Sequence, residues 1–230
     1  MRKRSKRYLA ISKDENKEQV FDIADAIAVI KKTAGAKFDE SFEISMRLGV
    51  DPKKADQMVR GTVSLPNGTG KDVRILVFAK SPKDQEALDA GADYAGLDEY
   101  AAKIKGGWSD VDVVVATPDV MGVVGQLGRI LGPRGLMPNP KVGTVTFDVA
   151  KTVGELKAGK IEFRVDKDGN IAGAVGKCSF APEKLEENIR TFYASIIAAK
   201  PSTAKGHYVK SIHFSSTMGL GVTVSENSFK

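Results

Sequence analysis

Between residues 42 and 48 apolar and polar side chains alternate strictly, Phe42, Ile44, Met46 and Leu48 against Glu43, Ser45 and Arg47. A period of two puts the first set on one face of a β-strand and the second on the other, so one face is buried and one is wet. Upstream, Val20, Phe21, Ile23, Ala24, Ile27 and Ile30 recur at helical spacing, which predicts a helix over residues 17–33, stopped by Gly35. Asp51-Pro52, a capping residue followed by a first-turn proline, predicts a short helix to about Val59. The same style returns after Gly159. Ile161, Phe163 and Val165 alternate, residues 166–170 turn, and residues 171–180 come back, which predicts a β-hairpin. Pro182 opens an amphipathic helix with Leu185, Ile189, Phe192, Ile196 and Ile197, and residues 209–214 and 220–224 read as closing strands.

Across the breaker cluster at residues 66–70 the pattern changes. Residues 73–79 and 111–116 are nearly continuous apolar runs, and helices are expected over residues 82–90, 97–104, 118–131 and 149–157. Strands without alternation are covered on both faces, as in a parallel sheet between two helical layers. The fold class expected is α/β with two domains. Residues 1–66 with 160–230 would form a discontinuous α+β domain from both chain ends, and residues 67–159 an inserted Rossmann-like three-layer α/β domain.

A chain of 230 residues that is 42% hydrophobic can bury a core without staples. Its single cysteine, Cys178, cannot form an internal disulfide, and a reduced cytosol is the simplest home. The longest apolar run, residues 111–116, contains Asp112 and is far too short to span a bilayer, so no membrane is expected as a partner. The basic opening Arg2-Lys3-Arg4-Ser5-Lys6-Arg7 is followed by no apolar core, which argues against a secretory signal. The net charge is +6, with +7 in the outer segments and −1 in the centre, and six positive charges stand in the first 13 residues without an acid. Such a tail attracts any polyanion in a salt-sensitive way, and it equally suits a solvated, disordered terminus.

Catalysis finds little support. The two histidines, His207 and His213, lie in a loop and in a strand, and the chain contains no CxxC, HExxH or G-x-S-x-G. Neither an enzyme nor a metal or cofactor is expected. Gly68-Thr69-Gly70-Lys71 has the flavour of a phosphate loop, but Leu65 stands where such a loop starts with glycine, and Asp72 where it carries Ser or Thr. Gly122, Gly125 and Gly128 read as close helix–sheet packing, and Asp110, Asp112 and Asp119 as solvated acids at a strand end. A nucleotide-binding enzyme using the inserted Rossmann-like domain is the alternative reading, on fold analogy.

Two segments have the composition of a binding surface. Residues 128–141 set Arg129, Arg134 and Lys141 among glycines and prolines, around apolar Leu136 and Met137. The cations suit phosphates and the apolar tips a base or ribose; a rigid connection whose Leu136 and Met137 plug the core fits the composition equally well. Ser215-Ser216-Thr217-Met218-Gly219 offers small hydroxyls and open backbone suited to a shallow RNA groove, though alone it reads more simply as a polar turn.

Taken together the segments form a pattern. Gly132-Pro133-Arg134-Gly135-Leu136-Met137-Pro138-Asn139-Pro140-Lys141-Val142-Gly143-Thr144-Val145-Thr146 resembles the signature of the bacterial large-subunit ribosomal protein L-one family. Arg60-Gly61-Thr62-Val63-Ser64-Leu65-Pro66, Ala36-Lys37-Phe38-Asp39-Glu40-Ser41 and Thr217-Met218-Gly219 are similar too, in the family's order, and the likeness runs from about Arg4 to Val224. The resemblance implies a component of the 50S subunit, a monomer when free. The domain made from both ends would bind 23S rRNA at the mobile stalk beside the exit site, the inserted domain would face exit-site tRNA, and the protein would repress its own operon mRNA. Carried over residue by residue, the RNA surface falls on Lys37, Phe38, Ser41, Glu43, Lys54, Arg164, Asp166, Ser211, Thr217, Met218 and Gly219, and the tRNA-facing loop on Arg129, Arg134, Gly135, Leu136, Met137 and Lys141. Glu43 and Asp166, odd beside a polyanion, would accept ribose hydroxyls or base amino groups or orient Arg164. Ala172, Met58 and Asn67 depart from the family's usual residues, the last two near the inferred domain junction.

Overall fold

The structure is a computed structural model that describes residues 5–12 and 19–229. In chain order the first elements are α1 (Lys6–Ile11), β1 (Val20–Phe21), α2 (Ile23–Thr33), β2 (Ser41–Leu48), a 3-10 turn at Ala55–Gln57 and β3 (Arg60–Ser64). Next come β4 (Ile75–Phe78), α3 (Lys83–Asp89), β5 (Tyr94–Gly96), α4 (Asp98–Lys105), β6 (Val113–Ala116), α5 (Met121–Gln126), α6 (Gly128–Leu131) and α7 (Val149–Lys157). The last are β7 (Lys160–Arg164), β8 (Asn170–Lys177), α8 (Pro182–Ala198), β9 (Val209–Ser216) and β10 (Gly221–Val224). The chain divides into two compact units, one of residues up to Gly70 with those from Ile161 onward, the other Lys71–Lys160.

In the first unit five strands form one sheet in the order β1-β10-β9-β2-β8. β2 at its centre pairs antiparallel with both β8 and β9. The alternation along β2 takes effect here. Phe42, Ile44, Met46 and Leu48 point into a core with Ile27 and Ile30 of α2 and Leu185, Ile189, Phe192 and Ile196 of α8. Both helices therefore lie on one face of the sheet. Burying each large apolar side chain contributes about 1.5–3 kcal/mol, and Phe42 meets Phe214 edge-to-face at 5.6 Å. Glycines on β8 admit α8 closely: a Cβ on Gly173 would stand 2.9 Å from the Phe192 ring, and one on Gly176 would stand 2.8 Å from Leu185.

Three expectations fail in this unit, for reasons beyond local pattern. Val20–Phe21 is not helical but pairs parallel with Thr223 and Val224, so α2 begins at Ile23; the expected start at Lys17 lies outside the described residues. The Asp51-Pro52 start yields only the 3-10 turn Ala55–Gln57, because Asp51 spends its carboxylate on the Lys53 N–H (3.2 Å) and Gln57 folds back onto the Asp51 N–H (2.8 Å). β7 and β8 do not pair as a hairpin. Instead β7 joins β3 in a separate two-stranded sheet while β8 joins β2, and Phe163 of β7 packs on Phe192 of α8. The basic opening is not wholly without structure, since Lys6–Ile11 is helical and capped by the Ser5 hydroxyl. Arg2, Lys3, Arg4 and Lys13 lie outside the described residues.

In the second unit β5-β4-β6 form a parallel sheet. Leu76 and Phe78 face Ile104, Val120, Val124, Leu127 and Leu131 on one side, and Ile75 and Val77 face Ala87, Val149, Val153 and Leu156 on the other. Helices thus cover both faces, as continuous apolar strands require. The helix expected over residues 118–131 is broken into a 3-10 turn, α5 and α6. Gly122, Gly125 and Gly128 are not packing glycines, since a Cβ on any of them would meet nothing within 4 Å. Asp110 stays solvent-exposed and Asp112 is mostly covered, and both are ion-paired. Arg74 bonds both, and Lys71 meets Asp112 at 2.7 Å, which also commits the lysine of the phosphate-loop-like segment.

Candidate RNA interface

The sheet of the first unit has two unlike faces. Helices cover one; the other carries Ser41, Glu43, Ser45 and Arg47 of β2 beside Ser211, His213 and Ser215 of β9, all partly or fully exposed. Register aligns them in rows. Glu43 lies across from Ser215 and Ala174, Ser45 from His213 and Ala172, and Arg47 from Ser211 and Asn170. Thr223 extends the middle row through its hydroxyl, 3.3 Å from His213 Nδ1. Short hydroxyls and two alanines keep this face low, so a large polar surface could approach the strands closely.

At the Ser41 end of the face two loops from distant parts of the chain are fastened together. Glu40 is the fastener. It is only 2% exposed, and its carboxylate accepts hydrogen bonds from the Ala36 N–H (2.9 Å), the Ser216 hydroxyl (2.7 Å) and the Met218 N–H (2.9 Å). Burial pushes this carboxyl up, but the bonds from Ser216, Met218 and Ala36, with the charge of Arg7, outweigh it and hold the group below its ordinary 4.5. Thr217 adds a second tie, its Oγ1 accepting from the Ser41 N–H (2.9 Å) and its own N–H donating to the Ser41 carbonyl (3.2 Å). Gly219 is required by close approach, because a Cβ there would collide with the Ser216 hydroxyl that Glu40 holds. The Arg7 guanidinium of α1 donates to the Met218 carbonyl.

These ties leave Phe38 and Met218 displayed, 55% and 53% exposed, on two loops held to one carboxylate. Lys37 is exposed beside Phe38. Lys177 reaches the Ser41 hydroxyl (3.1 Å), which keeps its own hydrogen free to donate. Asp39 is occupied by Ser179, through the backbone N–H (3.2 Å) and the hydroxyl (2.7 Å). Lys37, Lys177 and Arg7 at this end are matched by Asp39, Glu40 and Glu43, so the charges balance and the apolar tips stand out.

The remaining sequence-derived residues gather at the other end of β2, about 20 Å away at roughly 3.3 Å per residue. Ser211 lies there beside Arg47. Asp166 accepts from the Asn170 N–H (2.8 Å) and side chain (3.2 Å) and from the Asp168 N–H (2.9 Å), and the Asn170 bonds lead the causes that lower its pKa. Its oxygens organise a turn and do not orient Arg164. Arg164 is exposed at the end of β7, and Lys54 is exposed before the Ala55–Gln57 turn. Phe38 and Met218 are thus brought together, and Arg164 stands at the opposite end of the same strand.

The sequence reading missed Glu40 and Arg47. Arg47 was findable, since the alternation of β2 assigns it to the wet face with Glu43. Glu40 was not, because nothing near it in the chain marks it as buried; its partners Ser216 and Met218 are 176 and 178 residues away.

In the second unit Arg129, Arg134 and Lys141 are exposed around Gly135, whose φ of 72° favours glycine. Leu136 and Met137 pack against the apolar core, so they are plugs rather than free tips. Among the described residues no group of three or more His, Cys, Asp or Glu side chains could hold a metal ion.

The sequence pattern of the ribosomal protein L1p/L10e family matches residues 30–220. The large ribosomal subunit protein uL1 of Protochlamydia amoebophila (strain UWE25) is 59% identical over 220 residues, which is 96% of this chain and 93% of that protein.

Proposed function

This chain belongs to the ribosomal protein L1p/L10e family, and from that premise we propose that it binds 23S rRNA directly and builds the mobile stalk near the exit site. It is a structural protein of the large ribosomal subunit, not an enzyme. The observation that carries the RNA reading is the exposed sheet face, lined with hydroxyls, carrying Arg47 at one end and ending at Phe38 and Met218 at the other. Phosphates would meet Lys37, Lys54, Arg47 and Arg164, and hydroxyls of Ser41, Ser211 and Ser215 would meet ribose 2′-hydroxyls across a shallow groove. Phe38 and Met218 would pack on sugar or base faces. Only a short basic stretch exceeds the local acids, so recognition rests on shape more than on bulk charge.

In this reading the units act as two domains, an RNA anchor made from both chain ends and an inserted domain that takes part in releasing deacylated tRNA. Arg129, Arg134 and Lys141 would offer phosphate contacts to that tRNA. Gly68, Gly70 and Gly159 have positive φ beside the two chain crossings, which suits a hinge there. The same anchor face would bind the protein's own operon mRNA and repress its translation.

A filter-binding titration against 23S and 16S rRNA at matched salt tests the reading. Selective binding of 23S rRNA is expected, and equal affinity for both would overturn it.

A further inference from the structure

The first unit contains a cavity of about 540 Å³, lined by Pro52, Lys53, Met58, Arg164, Val165, Asp166 and Lys167, and its Asp166 bonds Asn170, which lies across from Arg47. That volume lies in the range of sites that hold small organic groups, roughly 300–1,000 Å³. Its floor is apolar, made by Pro52, Met58 and the buried Val165. Its rim is cationic. Lys53, Arg164 and Lys167 are exposed, and none has an ion-pair partner among the described residues. The single acid of the lining, Asp166, has its carboxylate turned to Asn170 and Asp168. The walls are also fixed in advance. The Val165 N–H donates to the Val59 carbonyl (2.9 Å), Lys54 to Asp51 (3.1 Å) and Gln57 to Lys54 (3.0 Å).

An apolar floor below a ring of unpaired cations matches one chemistry well, a planar base joined to a phosphate. We propose that this cavity receives a single unpaired nucleotide of the bound RNA, its base against Pro52, Met58 and Val165 and its phosphates among Lys53, Arg164 and Lys167. The proposal rests on the RNA-binding reading above and names what that surface would recognise at its far end. A double-stranded groove would satisfy the hydroxyl-lined strands, whereas a splayed base needs a pocket, and base stacking or burial tolerates any base identity. The two ends of β2 would then do different work: Phe38 and Met218 meet the folded RNA surface, and the cavity captures an extruded nucleotide that sets the register.

The test is ultraviolet crosslinking of the full chain to 23S rRNA, followed by mapping of the crosslinked peptides, with binding titrations of Met58→Ala and Lys167→Ala. Both side chains are exposed, and unchanged circular dichroism will show that the variants fold. Crosslinks at residues 52–58 or 164–167 are expected, with a five- to tenfold loss of affinity in Met58→Ala. Selective, full-affinity binding of 23S rRNA by both variants, with no crosslink at these residues, would overturn the cavity proposal and leave the RNA reading intact. Absence of 23S rRNA binding by the wild-type chain would overturn both. Micromolar binding of adenosine or uridine 5′-monophosphate by the free chain would make the occupant a free nucleotide and overturn the RNA source.

Discussion

Replacing Glu40 by alanine would leave three donors without an acceptor inside the first unit: the Ala36 N–H, the Ser216 hydroxyl and the Met218 N–H. A buried donor stripped of its partner costs about 1–3 kcal/mol. Water entering the truncated site would recover part of this, so a net loss of about 3 kcal/mol is expected. At about 2–4 °C per kcal/mol for a chain of this size, the melting transition should fall by roughly 6–12 °C. Affinity for 23S rRNA should fall as well, because the loops that display Phe38 and Met218 lose their common anchor. Glu40→Gln separates charge from shape. It keeps the volume but presents an amide N–H₂ to groups that are themselves donors, so it should also weaken both stability and binding. The pH dependence has a definite sign. With its folded pKa below the ordinary 4.5, the carboxylate is protonated more readily in the unfolded chain. Its stabilisation is therefore complete above about pH 4.5 and is lost as the pH drops through the folded value. Wild type should lose stability along that acid limb more steeply than Glu40→Gln. Thermal melts followed by circular dichroism between pH 7 and pH 3, with filter binding at pH 7, measure all of this. A Glu40→Ala protein with unchanged melting and unchanged RNA affinity would refute the fastening role.

Three further outcomes are expected. Thr217→Ala should cost roughly 1–3 kcal/mol of RNA affinity, because the Ser41 N–H loses its acceptor at the contact surface; a wild-type titration curve would count against that site. Removing residues 1–13 should flatten the salt dependence of binding. Because Arg7 bonds the Met218 carbonyl, it should also reduce affinity for 23S rRNA at high salt several-fold, and affinity there equal to wild type would show that α1 plays no part. Asn188, fully buried, ties the Asn67 N–H and the Gly68 and Val175 carbonyls to α8, so Asn188→Ala should destabilise the first unit by about 2–4 kcal/mol. Urea denaturation with an unchanged midpoint would contradict this.

Strict periodicity made much of the architecture readable from the chain. β2 and α8 each commit one face to the core over several repeats, and no neighbour overrides them. The failures share a cause. Val20–Phe21 carries a helical pattern yet is drawn into pairing with β10, and β7 alternates like half of a hairpin yet pairs with β3, since strand partners are chosen by distant segments. β3 and β5 escaped notice because five and three residues give too few repeats to set a period. In the candidate site, Lys37, Phe38, Thr217 and Met218 are named through family resemblance alone, and what the structure adds is that their two loops are tied together. Glu40 sat inside the same motif and looked like one more surface acid, because its burial exists only once the two loops have met.

The claim beneath all of this is that the hydroxyl-lined face of the five-stranded sheet, opposite α2 and α8, is the face that meets RNA. Ser45 lies at its centre, far from both loops, and Arg190 lies exposed on α8 across the core. Filter binding of 23S rRNA by Ser45→Glu and Arg190→Glu compares the two faces directly. A loss beyond tenfold for Ser45→Glu, with Arg190→Glu within about twofold of wild type, is the expected result at ~1.4 kcal/mol per decade. Equal affinities, or a greater loss on the helical side, would contradict it.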